Sequence, residues 1–220
     1  MPKNMSEERK KLISLYGAKL NLVDSFQDGF KLCKKLEKQG EFVAHQFENE
    51  SNFFAHYSTT AKEIFAKLKN RKLDAFVAGV GTGGTLSGVG TFLKEHKKAK
   101  VVGIEPQNAQ ILSQNPPYQK HKLQGLSDEI LPKLYDKKLV DGIIQISDDD
   151  AIAMSQKLAK ELSLGVGISS GANFLGCVLF GGTCATTFAD SNKKYLSTDL
   201  SKPITTKLVQ DIHLLSLKTL

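Results

Sequence analysis

Short runs rich in β-branched residues alternate along this chain with stretches whose apolar positions recur every three or four residues. Runs of the first kind suit strands, and stretches of the second give a helix one apolar stripe. Strands are predicted at residues 19–23, 42–46, 74–80, 101–105, 142–146 and 183–188. Helices are predicted where Ser6 precedes Glu8, Arg9 and the Leu12/Leu15 spacing, over 59–68, from Gly84 to about His96, and over 149–162. In the last of these Ser147 and Asp150 approximate a capping box, while Ala151, Met154, Leu158 and Leu162 share one face as core positions. The alternation marks an α/β protein. No internal repeat or low-complexity linker interrupts it, and residues 110–122, containing Asn115-Pro116-Pro117, form the longest irregular connection.

The third predicted strand runs into Gly79-Val80-Gly81-Thr82-Gly83-Gly84-Thr85 and then into a helix. Several backbone N–H groups and a helix N-terminus can then face one anion, which is a phosphate-binding geometry. Glycines needed only for a tight turn would not require the two threonine hydroxyls beside them. Two phosphate ligands stay open at this point. Gly79 to Gly84 satisfies G-x-G-x-x-G, and Glu105 ends the next predicted strand about where a ribose-binding carboxylate sits in dinucleotide folds. A Walker loop is excluded, because no Gly-Lys-Ser/Thr follows the glycines.

Composition narrows the field without choosing. A chain of 220 residues with 40% hydrophobic content buries one sizeable core and divides into one or two domains. No apolar run approaches the ~20 residues of a spanning helix. The start, Met-Pro-Lys-Asn-Met-Ser-Glu-Glu-Arg, lacks the apolar core of a signal peptide, so a cytoplasmic location is expected. Cys33, Cys177 and Cys184 are an odd number at spacings that fit neither a disulfide framework nor a zinc site. The net charge of +7 lies in Lys-rich segments at 67–72 and 94–100, without the arginine and aromatic interleaving of nucleic-acid modules. Solvated helix faces account for it and would suit anionic substrates. The five histidines form no metal-ligand spacing, and no Ser/His/Asp arrangement is visible.

Five further segments carry a resemblance. Residues 1–9 resemble MPxNMSxER of the cysteine synthase (O-acetylserine sulfhydrylase) family. Gln46-Phe47-Glu48-Asn49 with His56 and Thr59-Thr60 resembles its QFENPxNPxxHxxTT, and Lys122-Leu123-Gln124-Gly125 its KIQG. Gly167 to Ala172 matches GISSGA, Tyr195 to Thr198 matches YLST, and Gly81 to Thr85 is similar to the family's phosphate loop, all in the family's order. The resemblance implies a tryptophan-synthase-β-like, fold-type-II pyridoxal-phosphate architecture, an open sheet with helices on both faces. The family's SxKDR-type Schiff-base lysine and its TSGNTG carboxylate loop have no counterpart in these residues. An incomplete small domain is therefore expected, residues 1–45 being its remnant and 46–220 the larger cofactor-binding domain.

The family's reaction replaces the acetate of O-acetylserine with sulfide, and the resemblance assigns roles residue by residue. Gly81, Thr82, Gly83, Gly84 and Thr85 would hold the phosphate of pyridoxal 5'-phosphate, and Ser169 would bond its pyridine nitrogen. Gln46 would contact the substrate carboxylate, and Gly125 lies in the loop that approaches the substrate amine. No residue is assigned to catalysis, since the lysine that transfers protons has no candidate, and the isolated chain is expected to be inactive. A homodimer is implied, with weakened capture of the serine acetyltransferase C-terminal tail; no nucleic acid, membrane or metal is expected. Rival readings are a cystathionine β-synthase-like enzyme and a noncatalytic cofactor- or dinucleotide-binding scaffold. Two departures stand out: residues 126–129 replace the glycine-rich continuation after KIQG, and residues 172–184 shorten the helix and loop before the last strand. That shortening predicts uncovered apolar surface near Ser169.

Overall fold

The computed structural model describes residues 1–114, 119–127, 129–203, 206–210 and 212–214. Four parallel strands, β1 (Ala75–Gly79), β2 (Lys100–Pro106), β3 (Gly142–Ile146) and β4 (Cys184–Ala185), form one sheet in the order β3-β2-β1-β4. Phe76 lies opposite Val101, and Glu105 opposite Gln145. Because both faces of a parallel sheet are covered, β1 reads as an unbroken apolar run and its first four residues are buried.

The alternation of side chains along β1 divides the core in two. Phe76, Ala78 and Val80 pack with Leu86, Val89 and Leu93 of α5 (Gly84–Lys97). Ala75 and Val77 pack with Met154 and Leu158 of α6 (Asp148–Leu162) and Leu175 of α7 (Ile168–Phe180). Outside α5, α3 (Glu50–Ala55) runs through a π-helical turn, His56–Thr60, into α4 (Ala61–Leu68). In that turn the Ser58 and Thr59 hydroxyls bond back to the carbonyls of Phe54 and Ala55. The predicted start of α6 is present as a one-sided cap: Ser147 Oγ accepts from Asp150 N–H at 3.1 Å, while its own proton goes to the Asp150 carboxylate.

Three strand predictions need correction. Residues 19–23 make only a single bridge, Val23 with Pro2, and residues 42–46 pair with nothing among the described residues. A β-rich run becomes a strand only where a neighbour accepts its N–H and C=O groups, and no strand lies beside either segment there. The last run shrinks to Cys184–Ala185, after which side chains replace the ladder: Thr186 Oγ1 donates to the Val77 carbonyl at 2.6 Å. Sequence reasoning also missed α2 (Phe26–Glu37), which Ser25 caps by accepting from Asp28 N–H. Helix α7 is 13 residues long and ends at Gly181. Uncovered apolar surface is present, with Val178 40% and Leu179 46% exposed, yet it lies roughly 14 Å along the helix from Ser169. Part of the long connection, residues 115–118, lies outside the described residues.

Candidate active site

Helices that follow or precede parallel strands start at the carboxyl edge of the sheet. Here α5 leaves β1 on one face and α7 approaches β4 on the other, so their N-termini flank a crevice at the carboxyl end of β1. Asn173, one turn into α7, closes the floor of this crevice. Its Oδ1 accepts from Gly79 N–H at 2.7 Å and its Nδ2 donates to the Thr187 carbonyl at 2.9 Å.

The glycine loop is shaped by its neighbours. Gly83 takes a left-handed conformation, φ +86°, at the N-cap of α5, where no side chain caps the helix. A Cβ on Gly81 would stand 2.2 Å from the Gly125 carbonyl oxygen, a backbone atom, so this position needs glycine for close approach, and one on Gly84 would stand 2.1 Å from Asn52 Oδ1 and push that side chain aside. The N–H groups of Gly81, Thr82, Gly83 and Thr85 have no partner among the described residues; Gly84 N–H leans on Thr82 Oγ1 at 3.3 Å. These are the free donors expected where a loop meets a helix start.

Both threonine hydroxyls are oriented by residues that sequence reasoning left without a role. Asn52 Nδ2 donates to Thr82 Oγ1 at 2.9 Å and to the Gln46 carbonyl at 2.8 Å, tying the loop to the segment at Gln46. His56 Nε2 lies 3.0 Å from Thr85 Oγ1, and its Nδ1 3.1 Å from Thr60 Oγ1. Burial holds the His56 pKa below its ordinary value, so the neutral ring has one donor and one acceptor nitrogen for the two threonines. Asn52, His56 and Thr60 recur every four residues, a spacing that already marks one helix face.

Ser169 lies in the first turn of α7 and is 8% exposed; its hydroxyl has no protein partner among the described residues. The N-cap is Gly167, so neither Ser169 nor Ser170 serves as the helix cap. Gln46 sits in a loop, not at a strand end, and lines a cavity of about 440 Å³ together with Gly125, Arg9, Val23, Phe26 and Phe30. Glu105 is fully buried. Its carboxylate accepts from Leu112 N–H at 2.9 Å, Ser113 N–H and Oγ, and Gln145 Nε2 at 3.3 Å, which leaves nothing for a ribose. The dinucleotide reading thereby loses its carboxylate.

Comparison with known proteins accounts for this layout. The family model "Pyridoxal-phosphate dependent enzyme" matches residues 1–185. Cysteine synthase B of Campylobacter jejuni is 42% identical over 211 residues, covering 91% of this chain and 70% of the relative. Cysteine synthase of Staphylococcus aureus is 40% identical, covering 91% and 68%. A hydrogen sulfide-producing enzyme from Fusobacterium nucleatum superposes with a TM-score of 0.90 at 41% identity, over all of this chain and 71% of that one. A phosphate-type loop at the carboxyl edge of the sheet and relatives at this level lead to one assignment: the chain belongs to the pyridoxal-phosphate-dependent enzymes, among the cysteine synthases.

Proposed function

We propose that this chain builds the phosphate, ring and substrate-amine walls of a site for β-replacement, in which the acetate of O-acetylserine gives way to sulfide and cysteine is formed. One observation carries the reading: donors without acceptors among the described residues, the amides of Gly81, Thr82, Gly83 and Thr85, stand at the same sheet edge as the unpartnered hydroxyl of Ser169. Amides at a helix N-terminus suit a phosphate, and a single hydroxyl suits a ring nitrogen. The residues present therefore fit pyridoxal phosphate. When bound, that cofactor supplies the electron sink for removal of the α-proton and departure of acetate.

Within this reading Thr82 and Thr85 donate to the phosphate, with Asn52 and His56 fixing their rotamers. Ser169 donates to the pyridine nitrogen and leaves it unprotonated, which suits elimination over transamination. Gln46 faces the substrate carboxylate and the Gly125 turn faces its amine. Residues 1–45 serve the substrate side and residues 46–220 the cofactor side. None of the 220 residues matches the lysine that holds the cofactor covalently in the family resemblance, so the bare chain binds it by noncovalent contacts and does not turn over O-acetylserine. Without the carboxylate loop it also binds a serine acetyltransferase tail weakly, while pairing of two copies through the larger domain is retained.

Titrating the purified chain with pyridoxal phosphate, then reducing with borohydride and mapping peptides, tests this. Saturable binding with no lysine adduct is expected. Absence of saturable binding would overturn the cofactor site, and a specific lysine adduct would overturn the noncovalent mode. A second reading, production of hydrogen sulfide, is favoured by the likeness to the Fusobacterium enzyme. Tighter binding of cysteine than of O-acetylserine to the cofactor-loaded chain would favour it; a homocysteine preference would favour the cystathionine β-synthase-like alternative.

A further inference from the structure

We infer that Arg9 is a positioning residue for the substrate-facing turn: its guanidinium ties Gln124, and through it Gly125, to the half-buried Asp190 and the buried Tyr195. The inference rests on the reading of Gly125 as part of the substrate site. It starts from an anomaly. Helix α1 (Glu7–Leu15) buries none of its residues, yet the Arg9 side chain is only 21% exposed.

The guanidinium reaches three segments at once. Nη1 donates to Gln124 Oε1, and Nη2 donates to the Tyr195 hydroxyl and lies 3.4 Å from Asp190 Oδ2. Its carbon stands 4.7 Å over the Tyr195 ring, and the fully buried Tyr195 passes its own proton to Asp190 Oδ2 at 2.7 Å. A carboxylate only 10% exposed needs a counter-charge, and Arg9 is the cation in contact with it. Asp190 is itself fixed, since its carbonyl accepts from Gly167 N–H at 3.0 Å, directly before the turn that holds Ser169.

The far side of the network is the turn at Gly125. Ser127 N–H holds the end of the turn to the Val80 carbonyl at 2.8 Å. Gly125, at φ +92°, has no side chain to anchor it and presses its carbonyl on Gly81. The Gln124 side chain is the polar tether beside it, flanked by the buried apolar anchors Leu123 and Leu126, and Arg9 is what that tether grips. A planar fork can serve an amide, a hydroxyl and a carboxylate together; a lysine ammonium on a flexible stem cannot keep that geometry. The arrangement also explains two sequence features that no contact with cofactor or substrate explains, the Gln124 position of Lys122 to Gly125 and Tyr195, and gives Arg9 a role beyond its place in the cavity wall.

Hydrogen exchange of the full chain, read by mass spectrometry over residues 122–127, tests the inference. Arg9→Gln should raise exchange there on the order of tenfold. Arg9→Lys should not restore it, and Lys11→Gln, on the same helix, should leave it unchanged. Gln124→Leu, which keeps the Arg9–Asp190 ion pair, should give the same rise, and adding Arg9→Gln should bring no further increase. In parallel, Arg9→Gln should leave the affinity for pyridoxal phosphate unchanged while weakening O-acetylserine binding to the loaded chain several-fold. Failure of the unaltered chain to bind the cofactor would refute the functional reading, and the exchange measurement would still judge Arg9. Unchanged exchange in Gln124→Leu would overturn the inference even if Arg9→Gln does not fold, and additive effects in the double variant would overturn it where Arg9→Gln folds.

Discussion

Residues 42–46 and residues 142–146 are both short apolar-rich runs, yet only the second is a strand. The second lies against β2, which takes its backbone groups; the first has no strand beside it, and Phe42 is 90% exposed. The contrast extends to whole regions. Helices α1 and α2 contain no buried residue, whereas α5, α6 and α7 bury most of one face against the sheet. Local pattern proposes an element, and the partner decides whether its free energy is realised.

The largest effect should separate two phenylalanines. Phe76 is fully buried between β1 and α5, and Phe76→Ala should cost about 3–5 kcal/mol of stability. Phe42→Ala should stay within about 0.5 kcal/mol. Urea unfolding of both variants checks this, and a large loss for Phe42→Ala would mean that the N-terminal region packs against something in solution.

Two glycines sharpen the same contrast at the site. In Gly81→Ala the new methyl meets the Gly125 carbonyl oxygen, a backbone atom, so the loop must move. Affinity for pyridoxal phosphate should fall at least about tenfold, or about 1.4 kcal/mol. Gly17→Ala, at φ +78° in open space, should cost about 1–2 kcal/mol locally and leave cofactor binding untouched. Equal effects on binding would remove the loop from the site.

How much of this was legible follows the same divide. Strands β1, β2 and β3, the starts of α5 and α6 and the glycine loop could be read, because each rests on a local signal that the sheet then reinforces: an apolar run, a cap, a cluster of glycines. The shortened β4 could not be read, since Thr186 substitutes a hydroxyl for a ladder bond. Asn52 and His56 act through contacts 30 and 29 residues away, on Thr82 and Thr85, and only their four-residue spacing hinted at a shared face. Glu105 looked like a ribose ligand from its position at a strand end; only the fold reveals that Ser113 and Gln145 consume it.

A matched pair of helix caps asks whether cooperativity stops at the same boundary. Ser25 and Ser147 each accept from the N–H three residues on, both at 3.1 Å. Ser147→Ala should lower global stability by about 1 kcal/mol, because α6 unfolds with the core. Ser25→Ala loses the same bond, yet its cost should appear as faster exchange within α2 and not in the global midpoint. Equal shifts in the urea midpoint would show that α2 and the sheet unfold as one unit.

The smallest effect concerns ion pairs of equal length at two sites. Asp199 receives Lys122 and Lys202, each at 2.8 Å, and these hydrogen-bonded lysines hold its carboxyl down at about 2. Lys3 and Asp24 also meet at 2.8 Å, but in the N-terminal region, with side chains 60% and 80% exposed. A carboxyl whose folded pKa is depressed contributes stability above its unfolded value of about 3.9, and loses that contribution as pH falls toward 2. Asp199→Asn should therefore reduce stability near neutral pH, by less than about 1 kcal/mol because the pair is near the surface. The gap from the unaltered chain should close by pH 2, and also in roughly 1 M salt, where the screening length shrinks to about 3 Å. Asp24→Asn should change stability near neutral pH less than Asp199→Asn does, since both partners keep their water. If the Asp199→Asn deficit persists at pH 2, the contribution lies in hydrogen-bond geometry at the start of the Lys122 turn and not in charge; if Asp24→Asn matches it, the two regions share an electrostatic environment that their burial does not suggest.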